Sequence, residues 1–107
     1  MYASLSALVS RETFAMANRP LVSRFDPILQ RSTSYSVGFQ LQTPDMPLGP
    51  VADAFGHGGN GGSLHGCWPG RGLGFSYSMN LMRDLPQDPR GLSLLRALHG
   101  CLEGAGR

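Results

Sequence analysis

Apolar and polar residues alternate most cleanly from Ser34 to Gln42. Tyr35, Val37, Phe39 and Leu41 share one parity, and Ser36, Gly38, Gln40 and Gln42 share the other. A period of two belongs to a strand with one buried face, so a strand is expected here. Further on, Leu73, Phe75, Tyr77 and Met79 alternate with Gly74, Ser76, Ser78 and Asn80, which predicts another. Between them, Ala54 to His57 and Ser63 to Cys67 read as two halves of one strand, interrupted or bulged by glycine.

Helical patterning is confined to the two ends. Residues 1–18 read as helical: Leu5, Leu8 and Val9 make a short apolar face, Ser10 is placed to cap a second segment, and Phe14 anchors it. Pro20 stops this helix, because proline cannot continue it and disfavours α geometry at Arg19. At the other end, Asp88 is a good N-cap and Pro89 fits the first helical position. Leu92, Leu95, Leu98 and Leu102 form an apolar stripe, with Leu94 and Cys101 beside them, and Gly104 is a natural stop. Leu21 to Ser34 contains Pro27 and no clear period, which reads as an extended connection. The predicted fold is α+β: a three-stranded antiparallel meander with a C-terminal amphipathic helix and an N-terminal helix.

Composition narrows the class. With 41% hydrophobic and 15% charged residues, the 107-residue chain is a globular piece with one modest core, not a disordered one. All nine basic residues are arginine, scattered from Arg11 to Arg107 without a run. A nucleic-acid partner would need a basic stripe interleaved with aromatics, so none is expected. Met1 to Val9 has no basic n-region and reads poorly as a signal peptide; no stretch is long enough for a membrane span. Cys67 and Cys101 cannot frame a domain of this size with disulfides and read as two half-buried thiols.

The chemistry-bearing stretch is Phe55 to Ser63, in which five of nine residues are glycine. Gly56 to Gly61 formally matches G-x-G-x-x-G, but that motif binds a dinucleotide only between a strand and a helix. Gly66, Pro69, Gly70 and Gly72 follow here and rule out a helix. Leu-His-Gly-Cys occurs at Leu64 to Cys67 and again at Leu98 to Cys101, without the C-x-x-C or H-x-x-x-H spacing of a zinc site, so no metal and no cofactor are expected. Gly61-Gly62-Ser63-Leu64-His65 fails G-x-S-x-G at its last position, and a Ser–Lys pair is impossible without lysine.

Taken in order, the run F-G-H-G-G-N-G-G-S, a turn, a strand ending in Met79-Asn80, then Asp88-Pro89-Arg90 and a leucine-rich helix resemble the C-terminal end of the serine β-lactamase-like family. That family groups class C β-lactamases, penicillin-binding-protein relatives and related esterases. Ser10 to Phe14 followed by Pro20 to Ser23 resembles the segment before those strands. The likeness runs over nearly the whole chain and corresponds to about the last quarter or third of a full-length member. It implies that 1–107 is the C-terminal part of a single domain with a partial β-lactamase/transpeptidase-like fold.

Three motifs meet in the cleft of that family: S-x-x-K, a Y-x-N type, and K-T-G or H-x-G on a strand. His57-Gly58-Gly59 matches the third. By resemblance, His57 helps bind or polarise substrate, Gly58 and Gly59 let the acyl group lie along the strand, and the Asn60 N–H is one of two oxyanion donors. The other two motifs are absent, since Tyr77-Ser78-Met79-Asn80 is not Y-x-N. The resemblance thus implies a fragment of a hydrolase acting on a small ester or amide, inactive alone for want of its nucleophile. It also implies a sheet edge left unpaired where the family completes it with N-terminal strands. A non-catalytic binding module or a gene remnant that kept the sheet is the alternative.

Overall fold

In a computed structural model, residues 7–85 and 88–105 are described. A six-stranded antiparallel sheet runs in chain order: β1 (Val22–Asp26), β2 (Arg31–Tyr35), β3 (Gln40–Leu41), β4 (Phe55–Gly58), β5 (Leu64–Trp68) and β6 (Leu73–Tyr77). Helix α1 (Arg11–Ala17) precedes it and helix α2 (Pro89–Ala105) follows. The class is α+β as expected, but the meander has six strands, not three.

Each extra strand was concealed by a particular piece of chemistry. The stretch taken as a connection is the β1–β2 hairpin. Its strand β1 is exposed along most of its length, so no burial period marks it. Asp26 closes the turn, its Oδ1 accepting from the N–H groups of Ile28 and Leu29 at 2.8 and 3.0 Å. The clean alternation from Ser34 to Gln42 is not one strand. The chain reverses between β2 and β3, with the Phe39 N–H donating to Ser36 Oγ at 3.2 Å and the Ser36 N–H to Phe39 O at 2.9 Å. Val37 is exposed at this turn instead of sharing a buried face with Leu41.

The glycine run is likewise no bulge within a strand. It is the hairpin joining β4 to β5, with His57 opposite His65 and Phe55 opposite Cys67. At Gly56 the two strands approach so closely that a Cβ would lie on the His65 carbonyl oxygen, and φ is +155°. Only glycine is compatible with that crossing.

The helix starts behaved as read. Ser10 Oγ accepts from the Thr13 N–H at 3.1 Å, capping α1, and Asp88 Oδ1 accepts from the Arg90 N–H at 3.0 Å at the start of α2. The expected helix over 1–18 is described as α1 together with helical residues at Ala7 and Leu8; positions 1–6 lie outside the described residues. Gly104 does not stop α2, which continues to Ala105. The stripe is also narrower than read: Leu92 and Leu95 are buried, whereas Leu94 and Cys101 are exposed.

Apolar side chains cover both faces of the sheet. On one face Trp68, Leu48, Ala54 and Leu95 are buried together, with Leu64, Leu73, Phe75, Leu98 and Leu102 against them. The Trp68 indole N–H donates to Leu48 O at 2.9 Å, satisfying the one polar atom it buries. On the other face Phe55 stands edge-on to Phe14 of α1 and to Phe39, with ring centroids at 5.5 and 4.9 Å, beside Leu41 and Cys67. Each fully buried side chain of this size contributes about 1.5–3 kcal/mol. Two clusters on opposite faces therefore clamp β4 and β5, the strands that carry the glycine turn. Strand β6 has no strand on its far side among the described residues.

Candidate functional site

The β4–β5 hairpin opens onto a groove of 560 Å³. Its floor is the run from His57 to Leu64; its walls include Arg31 and Tyr35 from β2, Met46 and Pro47 from the following loop, and Arg83 to Leu85 after β6. His57 is exposed, on the same face of β4 as Phe55. A polar row crosses three strands there, because His57 faces His65 and His65 faces Ser76, with His65 Nδ1 2.7 Å from Ser76 Oγ.

Backbone groups at the strand end point in fixed alternation. The Gly59 N–H turns inward to Ser63 O at 2.8 Å, and the Gly62 N–H closes the turn onto Gly59 O at 3.4 Å. The Gly58 N–H points the other way and is taken by Gln40 Oε1 at 3.0 Å. Among the described residues, the Asn60 N–H has no hydrogen-bond partner. It is a donor at the rim of a groove with nothing yet to donate to. The four residues singled out in the sequence are therefore contiguous at one strand end: His57 and Gly58 on β4, Gly59 and Asn60 in the turn.

Sequence reasoning missed the groups that hold this turn. Gln40, only 3% exposed, accepts from Gly58 and donates from Nε2 to Met46 O at 3.3 Å. On the opposite side Arg90 reaches from α2, donating from Nη2 to Gly61 O at 3.1 Å and from Nη1 to Leu81 O. The same guanidinium grips Asp88 through Nε and Nη2. Its hydrogen bonds and charge hold the Asp88 carboxyl at about 2, below its ordinary 3.8. No motif in the sequence marks Gln40, which looks like one polar residue of an alternating strand.

The two Leu-His-Gly-Cys copies have unrelated settings. The first lies on β5 with Cys67 fully buried, where burial pushes the thiol pKa up. The second lies on α2 with Cys101 exposed. Among the described residues, no group of three or more His, Cys, Asp or Glu side chains is placed to hold a metal ion. No described helix is long and apolar enough to cross a membrane.

No protein-family model matches the sequence, and no curated protein does. Solved structures do match. A family VIII carboxylesterase aligns at 35% identity and a TM-score of 0.79 over 88% of this chain and 26% of its own. EstA from Arthrobacter nitroguajacolicus Rue61a aligns at 25% identity and a TM-score of 0.82 over 94% of this chain and 27% of its own. A penicillin-binding protein homolog from Caulobacter crescentus aligns at 32% identity and a TM-score of 0.80 over 87% of this chain and 25% of its own. The chain thus spans about a quarter of the length of the proteins it matches. Most of this chain thus shares its fold and about a third of its residues with part of a carboxylesterase and of a penicillin-binding protein homolog, as a fragment of the serine β-lactamase-like family would.

Proposed function

We propose that residues 1–107 form the C-terminal part of a β-lactamase-like serine hydrolase domain, supplying one wall of its acyl-transfer cleft. The observation that carries this reading is the unpartnered Asn60 N–H, at the end of an H-G-G strand and at the rim of the groove. In the complete cleft a serine oxygen attacks the carbonyl carbon of an ester or amide, and the carbonyl electron pair moves onto oxygen. Asn60 donates to that oxyanion; one preorganised donor of this kind typically lowers the barrier by about 3 kcal/mol. When the pair returns, the alcohol or amine leaves and the acyl group stays on serine until water removes it.

His57, exposed on the same strand, contacts the substrate and polarises it. Gly58 and Gly59 carry no side chain that would hold an acyl group off the strand. The serine and its lysine base are contributed by residues other than these, since the chain contains no lysine and no S-x-x-K. The isolated chain is accordingly inactive.

Incubation with a chromogenic β-lactam, a short-chain p-nitrophenyl ester and a fluorophosphonate probe tests this directly. No turnover and no labelling are expected; stoichiometric labelling of a serine would place the nucleophile within these residues and sink the reading. The coding region upstream of Met1 is a second test. An S-x-x-K followed by Y-x-N, in frame or frameshifted, is expected. Unrelated sequence there would favour a non-catalytic module that keeps the sheet as a binding surface.

A further inference from the structure

On the side facing α2, the glycine turn is held by the Arg90 side chain. Gly61 O accepts from Arg90 Nη2 and from the Arg83 N–H, both at 3.1 Å, while Arg90 Nη1 donates to Leu81 O. One guanidinium therefore ties three segments together: the turn, the stretch after β6 and the start of α2. Asp88 fixes the fork from behind, with Oδ2 2.6 Å from Nη2, and its side chain is 7% exposed. The turn is shaped to admit this clamp. At Gly62, where φ is +121°, a Cβ would stand 2.7 Å from Asp88 Oδ2 and 3.0 Å from Arg90 Nη2.

We infer that Arg90, oriented by Asp88, is the positioning residue that sets the direction of the Asn60 N–H through the carbonyl of Gly61. The inference rests on the acyl-transfer reading for its purpose but not for its geometry. Among the described residues the Asn60 N–H has no partner; its peptide carries Gly59 O, which accepts from the Gly62 N–H at 3.4 Å, and that N–H shares its peptide with the Gly61 carbonyl that Arg90 grips. The task needs a planar fork: Nε and Nη2 engage the carboxylate while Nη1 and Nη2 reach two carbonyls diverging from it. A lysine ammonium has the charge but cannot span those directions from one rotamer.

The test is amide NMR on the 15N-labelled chain, comparing wild type with Arg90→Lys and Arg90→Ala. In Arg90→Lys, the Asn60, Gly61 and Gly62 resonances are expected to move, and exchange at the internally bonded Gly59 and Gly62 amides to quicken at least tenfold. The amides of Phe55, Cys67 and Trp68 should stay put. Adding methylguanidinium to Arg90→Ala should return the Asn60 resonance toward its wild-type position. Unmoved turn resonances in Arg90→Lys would overturn the inference, as would exchange quickened equally across the sheet. So would a wild-type chain whose Gly61 and Gly62 signals show no dispersion. These readouts report geometry, not turnover, so labelling of a serine would defeat the functional reading while leaving them untouched.

Discussion

Replacing Gly56 by alanine should damage the chain far more than the loss of one glycine implies. An added Cβ meets the His65 carbonyl oxygen and, at 2.5 Å, the Gly66 Cα, both backbone atoms of β5 that cannot rotate away. Overpacking of this kind costs about 1–3 kcal/mol. Holding alanine at φ +155° adds roughly 1–3 kcal/mol of backbone strain. The total of about 2–6 kcal/mol compares with a typical domain stability of about 5–15 kcal/mol. Gly38 is the matched control: nothing lies within 4 Å of its Cβ position, and its φ is not positive. There alanine should be neutral or stabilise by up to about 1 kcal/mol, by restricting the unfolded chain. Urea unfolding followed by fluorescence reads both, because the single tryptophan, Trp68, is fully buried. Gly56→Ala should lower the midpoint sharply or abolish the transition while Gly38→Ala keeps it. A Gly56→Ala chain within about 1 kcal/mol of wild type would refute the close β4–β5 crossing.

Two further outcomes follow from the same geometry. Asp88 has its folded-state pKa depressed to about 2, so the stability it contributes is complete above its ordinary 3.8 and disappears as pH falls toward 2. Asp88→Asn should therefore lose less stability than wild type between about pH 4 and pH 2 in acid titrations followed by Trp68 fluorescence, while the carboxylate of Glu103, held low by Arg71, still titrates in both. An equal acid limb in the two proteins would refute the clamp's electrostatic role. In the folded chain, iodoacetamide should modify the exposed Cys101 and spare the buried Cys67 until denaturant is added; mass spectrometry showing equal labelling at both would contradict the core assignment.

Helices were legible in the sequence because their ends carry local chemistry. Ser10 and Asp88 are read as caps from residue type and position, and both cap. The strands were less legible because alternation records parity and not direction. Tyr35 and Leu41 share the parity that one continuous strand would need, yet Ser36 to Phe39 reverse the chain between them, and because Tyr35 pairs with Gln40 the two apolar residues end on opposite faces. In β1, exposure of both faces erases the period altogether. Glycine misled for a related reason. A glycine-rich interval signals close backbone approach whether it bulges one strand or joins two, and only the pairing of His57 with His65 distinguishes them.

The site divides along the same line between local and long-range information. His57 to Asn60 can be singled out together because they are contiguous and lie on one hairpin. The groups that hold them come from distant positions: Gln40 lies 18 residues before its partner Gly58, and Arg90 lies 29 residues after Gly61. Neither has a spacing signal, since their meeting depends on the whole sheet being folded in order. This separation bears on how the turn keeps its shape. A strand end whose N–H groups were all satisfied within the hairpin would have no donor left to offer. One held by nothing outside it would have a donor but no direction. The turn avoids both, with Gln40 taking the Gly58 N–H on one side, Arg90 gripping Gly61 O on the other, and the Asn60 N–H between them without a partner among the described residues.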